Sequence, residues 1–475
     1  MNRQSRPYLR LALACGILLP TFMYASVDTA WVRRYDGPGH GDDWAARLEV
    51  DTAGNVYVTG PSASDTGSTQ YLDFVTIKYY PNGDTAWVRR EDFGGKDLPS
   101  GLGVDALGNV YVTGTNNDSR MVTVKYSPTG NRLWYEFFGS QGGASDLVLD
   151  SHGNVMVCGS SYRTSADAAV VKYRPNGDTV WARYYDWASY EDDLDALALA
   201  SQDGISTAGW CSDGNPGGNM LTLAYDSTGS RLWAAYYDGP QHGAEWANAV
   251  AVDSAGNVVG TGQGDNGYGT PWDYLTVKYD STGETLWARR YDGTANGDDR
   301  AQSVAVDGQG NCYVTGYAEY TDTGDDFATI AYRPDGSVAW LARYDGPAHS
   351  GDGAYAIAVD ESRRVYVTGN SYTPQTKADC ATVCYDSLGD TIWVRRYDSP
   401  SHWGEYTTAL VLGPADAVCV AGVGYTASGF SSDMLTIKYV QNGGVAETRT
   451  SPCAVRPALV VEPSVFSTKT TVRFS

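Results

Sequence analysis

"GNVYVTG" spans residues 54–60 and recurs letter for letter at 108–114. Looser copies are "GNVMVCG" (153–159), "GNVVGTG" (256–262), "GNCYVTG" (310–316) and "RRVYVTG" (363–369); weaker echoes are "DGISTAG" (203–209) and "DAVCVAG" (416–422). The final glycines of these eight phrases stand 54, 45, 50, 53, 54, 53 and 53 residues apart. A near-constant period of this length marks a repeat architecture. Other markers keep the same beat: an Asp six residues ahead of a tyrosine, as in "DFVTIKY" (Asp73 to Tyr79), then a turn such as "PNGD" or "STGE". A tryptophan follows each time: Trp31, Trp87, Trp134, Trp181, Trp233, Trp287, Trp340 and Trp393.

Each unit resolves into four short strands. The first alternates, as in "AVAVD" (249–253), and a tight turn "D-x-x-G-N" reverses it, with glycine supplying the positive φ. "VYVTG" is the second strand, β-branched and aromatic. "FVTIKY" is the third, and Pro, Asn and Gly turn the chain into the fourth, "TAWVRRYD". The Val56/Val58 face and the Tyr57/Thr59 face are both bulky, as expected of a sheet covered on both sides. Radially stacked sheets have that property and leave few exposed edges. The expected fold is all-β, a β-propeller of four-stranded antiparallel blades; short hairpin turns argue against the parallel coils of a solenoid. "VDTAWVRRYDGP" (27–38) is a fourth strand with no preceding three, and the last unit lacks a fourth. The count favours eight blades over seven, closed by the N-terminal strand joining the last blade.

These residues resemble the bacterial β-propeller repeat family abbreviated SBBP, whose repeats read approximately "D-x-x-G-N-x-Y-V-T-G" before a hydrophobic strand. The resemblance covers about 27–440 and implies the propeller fold but no particular catalytic activity. It also implies seven blades, from which the strand count here departs. At the other end, "ALVVEPSVFSTKTTVRFS" (458–475) resembles the start of a type IX secretion sorting domain through Pro463, Phe466, Val472 and Phe474. Ser464 and Val465 depart from that pattern, and the chain stops before most of such a domain's length.

Residues 1–25 read as a signal peptide, with Arg3, Arg6 and Arg10 ahead of an apolar run from Leu11 to Met23. The expected organisation is therefore leader 1–25, propeller 26–440, linker 441–457 and sorting-type segment 458–475. Beyond the leader no stretch is apolar enough to span a membrane, so a secreted or cell-surface monomer is expected. Setting the leader aside leaves 31 basic residues against 56 acidic ones, a balance of −25. Such acidity argues against nucleic acid as a partner. Seven cysteines remain, without metal-ligand spacing. They read as small buried side chains, and Cys380 and Cys384, four apart in one strand, sit about 13 Å apart and do not bridge.

In a blade of this kind, the second-to-third loops and the blade-to-blade loops share one face. Those loops are long and variable, so ligand binding is expected there. Four histidines fall in them: His40, His242, His349 and His402, each with an acid two or three residues later. Their repetition on different blades reads as loop organisation; a divalent cation such as calcium is the alternative, and no other cofactor is expected. His152 sits in a turn on the opposite face. The aspartates heading the tight turns (Asp51, Asp105, Asp150, Asp253, Asp307 and Asp360) are expected to accept nearby backbone N–H groups. Those opening third strands (Asp73, Asp167, Asp273, Asp326, Asp379 and Asp433) are expected to follow the same logic. Six tryptophans fall off the beat: Trp44, Trp187, Trp210, Trp246, Trp272 and Trp403. All map to the variable face, where indoles can stack on sugar rings or grip a protein surface, although Trp44 and Trp246 also suit a packing role between blades. The expected function is a non-catalytic scaffold binding glycan or extracellular protein. The alternatives are a polysaccharide hydrolase or lyase, which would need asymmetric paired carboxylates, and a purely structural surface module.

Overall fold

The computed structural model describes residues 26–64, 71–212, 214, 217–267, 270–373, 377–426 and 431–442, with the backbone of 459–461 and 472–474. The expected leader and residues 443–457 of the expected linker lie outside the described residues, as does Cys453. Of the sorting-type segment, Leu459–Val461 pairs antiparallel with Val472–Phe474.

Eight four-stranded antiparallel sheets form a closed ring. The chain enters through β1 (Ser26–Tyr35), then builds blade 1 from β2 (Arg47–Val50), β3 (Val56–Ala63), β4 (Leu72–Tyr79) and β5 (Thr85–Glu91). Blades 2 to 7 repeat the plan over 98–138, 143–185, 192–237, 245–291, 300–344 and 352–397. Blade 8 takes three strands from the chain's end (Glu405–Gly413, Ala417–Tyr425 and Ser432–Asn442) and its outer strand from β1. Thr29 lies opposite Tyr439 and Trp31 opposite Lys438, across a bulge. The blade number is therefore eight, not the seven implied by the family resemblance.

The core is divided among eight inter-blade layers. Val56 and Val58 pack toward blade 8 with Trp31, Cys419 and Ala421. Tyr57, on the other face of the same strand, packs toward blade 2 with Leu102, Val110 and Val112. Every residue of β3 is buried, which explains its unbroken run of bulky side chains. Six cysteines sit in these layers, all buried and unbridged, including Cys380 and Cys384. Burial pushes the Cys312 thiol up to about 11 and those of Cys384 and Cys419 to about 12, so they behave as small apolar groups.

The on-beat tryptophans tie blades together. Trp31 Nε1 donates to the Pro81 carbonyl (3.0 Å), Trp87 to Pro128 (3.1 Å) and Trp287 to Pro334 (3.0 Å), each in the third-to-fourth turn of the next blade. Two residues on, Arg33, Arg183 and Arg289 donate through Nε to the glycine carbonyl of that turn. The turn glycine must be bare: a Cβ on Gly83 would lie 2.7 Å from the Trp31 ring. Arg395 closes the ring by donating to the Val27 carbonyl of β1 (Nε, 2.9 Å).

The two weak echoes of the opening phrase are explained by their turns. Blades 4 and 8 replace D-x-x-G-N with 3-10 turns, Ser201–Asp203 and Pro414–Asp416. There Gln202, Asp203, Ala415 and Asp416 take the positive φ that glycine takes elsewhere. No helix among the described residues is long and apolar enough to cross a membrane.

Candidate functional site

On the variable face, the inner strands of seven of the eight blades are headed by a buried acid: Asp43, Asp97, Asp192, Glu245, Asp299, Asp352 or Glu405; blade 3 has none. These acids clasp the loops. Asp97 accepts N–H from Phe93 at the start of its blade-to-blade loop (2.6 Å) and from Asn117 at the end of its own second strand (3.2 Å). Asp299 does the same with Gly293 (2.5 Å) and Glu319 (2.7 Å). Burial raises Asp97 to about 6, Asp192 and Glu245 to about 7 and Asp299 to about 8.

The four loop histidines do not face the acids that follow them. Each takes positive φ, 48° to 54°. Each pairs through Nδ1 with the Asp four residues earlier: Asp36, Asp238, Asp345 and Asp398, at 2.6–2.7 Å. The acid three residues later is instead the buried clasp. The hydrogen bond from each Asp raises His40, His242 and His349 above the usual imidazole value. These histidines are exposed, stand on different blades and are not brought together.

The aspartates opening third strands need a correction. Asp73, Asp326, Asp379 and Asp433 chiefly accept from an arginine on the neighbouring fourth strand: Arg90, Arg343, Arg396 and Arg34. Asp273 lies 3.9 Å from Arg290, while Asp167 accepts only a local bond, from Ser165 (2.7 Å). Cross-strand charge pairing replaces the expected turn capping because the register sets each arginine diagonally across from its aspartate, facing the residue two positions on.

Three of the six off-beat indoles converge. Trp246, on the inner strand of blade 5, stacks on Trp272 from the third strand of that blade at 5.0 Å and 24°. Trp210, ending the second strand of blade 4, meets Trp246 edge-on at 6.4 Å and 61°. Trp246 is 36% exposed. Asp298 accepts the backbone N–H of Trp272 (3.1 Å) and pairs with Arg300 (3.0 Å), setting polar groups at the margin. The other three stand apart. Trp187 is half-buried against the core layer of blades 3 and 4, its ring 4.2 Å from Tyr236. Trp44 is half-buried, and its backbone N–H donates to the Pro61 carbonyl (3.3 Å). Trp403 is 40% exposed, with Lys377 Nζ 3.7 Å from its ring centroid.

Sequence reading missed two groups. Tyr372 and Tyr406 share a hydroxyl bond (3.3 Å), and Tyr406 meets Tyr425 edge-on at 6.1 Å. The available signal was tyrosine at strand ends on the variable face. The second group lines the ring's axis. Crowding by the surrounding inner strands raises Glu49 and Asp195 to about 7 and Asp193 to about 6, and it also raises Asp146, although the Asp195 side chain stays open to solvent. These four break the repeat, since the matching inner-strand positions elsewhere are mostly neutral. Arg47 reaches from blade 1 to the Ser145 carbonyl of blade 3 (3.5 Å), over a blade-2 strand carrying Gly101 and Gly103.

A depression of about 500 Å³ lies on the opposite face, lined by Asp105, Lys125, Asp150, His152 and Pro175 among others. Its most promising cluster, Asp150, His152 and Asp203, is already committed. Asp150 accepts two backbone N–H groups, Asn154 Nδ2 and Lys172 Nζ, and His152 is held by Asp203.

The ring and its repeat define a β-propeller, and comparison with known proteins agrees at that level. The sequence model of the SBBP beta-propeller repeat matches residues 287–319, from the fourth strand of blade 5 into the second of blade 6. No curated protein matches the sequence. Among solved structures, Sqt1 from Chaetomium thermophilum is similar, at 11% identity and a TM-score of 0.55, over 88% of this chain and 100% of that one. The Pan2 WD40 domain of Neurospora crassa matches at 9% identity and a TM-score of 0.44, over 90% of this chain and 98% of that one. An ulvan lyase of family PL25, bound to -[GlcA(1-4)Rha3S]-, matches at 12% identity and a TM-score of 0.43, over 77% and 96%. Identities this low speak to the fold alone.

Proposed function

We propose that the protein is an exported, non-catalytic scaffold that binds glycan through the Trp210/Trp246/Trp272 group. One observation carries this reading: three indoles that the repeat does not require meet in one cluster, Trp246 exposed and Trp210 and Trp272 half-buried. A stacked pair with a third ring edge-on offers a flat apolar surface for a pyranose face, and Asp298 and Arg300 offer hydrogen-bond partners for its hydroxyls. A packing role accounts for Trp187 and Trp44, which are half-buried. It does not account for Trp246, whose exposed ring leaves apolar surface in water.

The test is binding to a glycan array, followed by calorimetry on the best hit with Trp246→Ala and Trp272→Ala. Each variant is expected to weaken binding at least tenfold with the melting temperature unchanged. Unaltered binding would move the ligand elsewhere, and no glycan binding by the full chain would leave a structural or protein-binding module. A catalytic reading draws on Glu49, Asp146, Asp193 and Asp195, whose raised values suit acid–base work. Polysaccharide turnover that Asp195→Asn abolishes would replace the binding reading.

A further inference from the structure

Carboxylate triads recur at four corners of the variable face: Asp73/Asp92/Asp97, Asp273/Asp292/Asp299, Asp326/Asp345/Asp352 and Asp379/Asp398/Glu405. Each joins the acid opening a third strand, the Asp after the fourth strand and the clasp acid of the next blade. In each, one oxygen per residue lies within 4.8 Å of the others. That spread fits one coordination shell of calcium, whose oxygen ligands sit about 2.3–2.6 Å from the ion.

Hydrogen bonding separates the corners by how many buried carboxylate oxygens it leaves without a partner. At the first corner, Asp73 accepts from Ser64 and Arg90, and Asp97 has a backbone N–H on each oxygen. At the second, Asp299 is likewise held on both oxygens, and one buried oxygen, Asp292 Oδ1, has no hydrogen-bond partner. At the third corner the clasp acid Asp352 is also held on both oxygens, by the N–H groups of Gly346 and Tyr372, and the difference lies in the other two acids. Asp326 is 0% exposed; Arg343 and Thr323 occupy its Oδ2, while Oδ1 has no hydrogen-bond partner. Asp345 gives Oδ2 to His349, and its buried Oδ1 is also unpartnered. The fourth corner repeats this: Glu405 is 0% exposed with Oε2 unpartnered, and Asp398 gives Oδ2 to His402 while Oδ1 is unpartnered.

We infer that the Asp326/Asp345/Asp352 and Asp379/Asp398/Glu405 corners each bind a divalent cation of the hard, oxygen-seeking class, calcium above others. A buried carboxylate oxygen without a partner is costly, and two corners place two such oxygens beside a third carboxylate. All donors are oxygen, which disfavours zinc. Magnesium, which keeps most of its waters, suits three buried carboxylates poorly. The arginines and histidines occupy the second oxygen of their partners, so a cation meets a pre-oriented nest. His349 and His402 thus serve a cation indirectly, each as the holder of a ligand. Asp345 and Asp398 are 22% and 28% exposed, leaving an entry path.

Calorimetric titration of the chelator-stripped full chain with calcium chloride tests this. Two sites per chain are expected, with affinities on the order of 10⁻⁴–10⁻³ M typical of extracellular calcium modules. Asp345→Asn and Asp398→Asn should each remove one site and the double variant both, while Asp92→Asn, at a saturated corner, should leave two. Terbium luminescence sensitised by neighbouring aromatic rings gives an independent count. No saturable binding by the wild type up to about 10 mM calcium, or two sites persisting in the folded double variant, overturns the inference. Should the variants fail to fold, the wild-type stoichiometry alone decides it.

Discussion

Within GNVYVTG each position answers to its own constraint. Gly54 takes φ of 82° to reverse the chain. Asn55 and Tyr57 both donate to Asp51 Oδ2, at 2.7 and 2.9 Å, and Asp51 Oδ1 accepts the N–H of Ala53 and Asn55. The same pattern holds at Asp105 and Asp307. Thr59 shares a buried hydroxyl bond with Thr76 on the next strand (3.2 Å). Gly60 permits close approach: a Cβ there would lie 1.8 Å from the Trp44 carbonyl oxygen. Gly60→Ala is therefore expected to destabilise the fold by about 1–3 kcal/mol, the range of overpacked cores. Urea denaturation measures this, and an unchanged midpoint would refute the close-approach argument.

Among the elements, β1 bears on the whole ring. It supplies the outer strand of blade 8, receives Arg395 of blade 7 at Val27 and sends Trp31 into blade 1. Its removal exposes the edge of the strand Ser432–Asn442 and breaks three blade contacts at once. A chain beginning at Asp36 is expected to lose its single cooperative unfolding transition, melting lower and more broadly. Calorimetry of that chain beside one beginning at Ser26 checks the point; identical transitions would show that closure does not depend on β1.

The whole molecule carries a pH dependence that follows from its buried acids. Asp97, Asp192, Glu245 and Asp299 titrate at about 6, 7, 7 and 8 when folded, against about 4 when unfolded. Between those values the folded state holds more protons, so stability falls as pH rises. His40, His242 and His349, also raised, act in the same direction. In chelator the melting temperature should be higher at pH 5 than at pH 8; the opposite order would mean that these acids are not desolvated as described. Calcium, by stabilising ionised carboxylates, should narrow that difference.

The eight-bladed ring, its strand order, its closure and the role of the turn aspartates could all be read from the chain alone, because they rest on local turn chemistry repeated at a fixed period. Periodicity averages over copies, so it speaks clearly about what every blade shares. It is silent on what one blade does with its neighbour. The clustering of Trp210, Trp246 and Trp272, separated by 36 and 26 residues, depends on blade 5 packing beside blade 4. The pairing of third-strand aspartates with arginines depends on cross-strand register. The difference between saturated and unsaturated acidic corners depends on which donors each loop folds back. These are contacts between residues distant in sequence, and only the closed ring brings them within bonding distance.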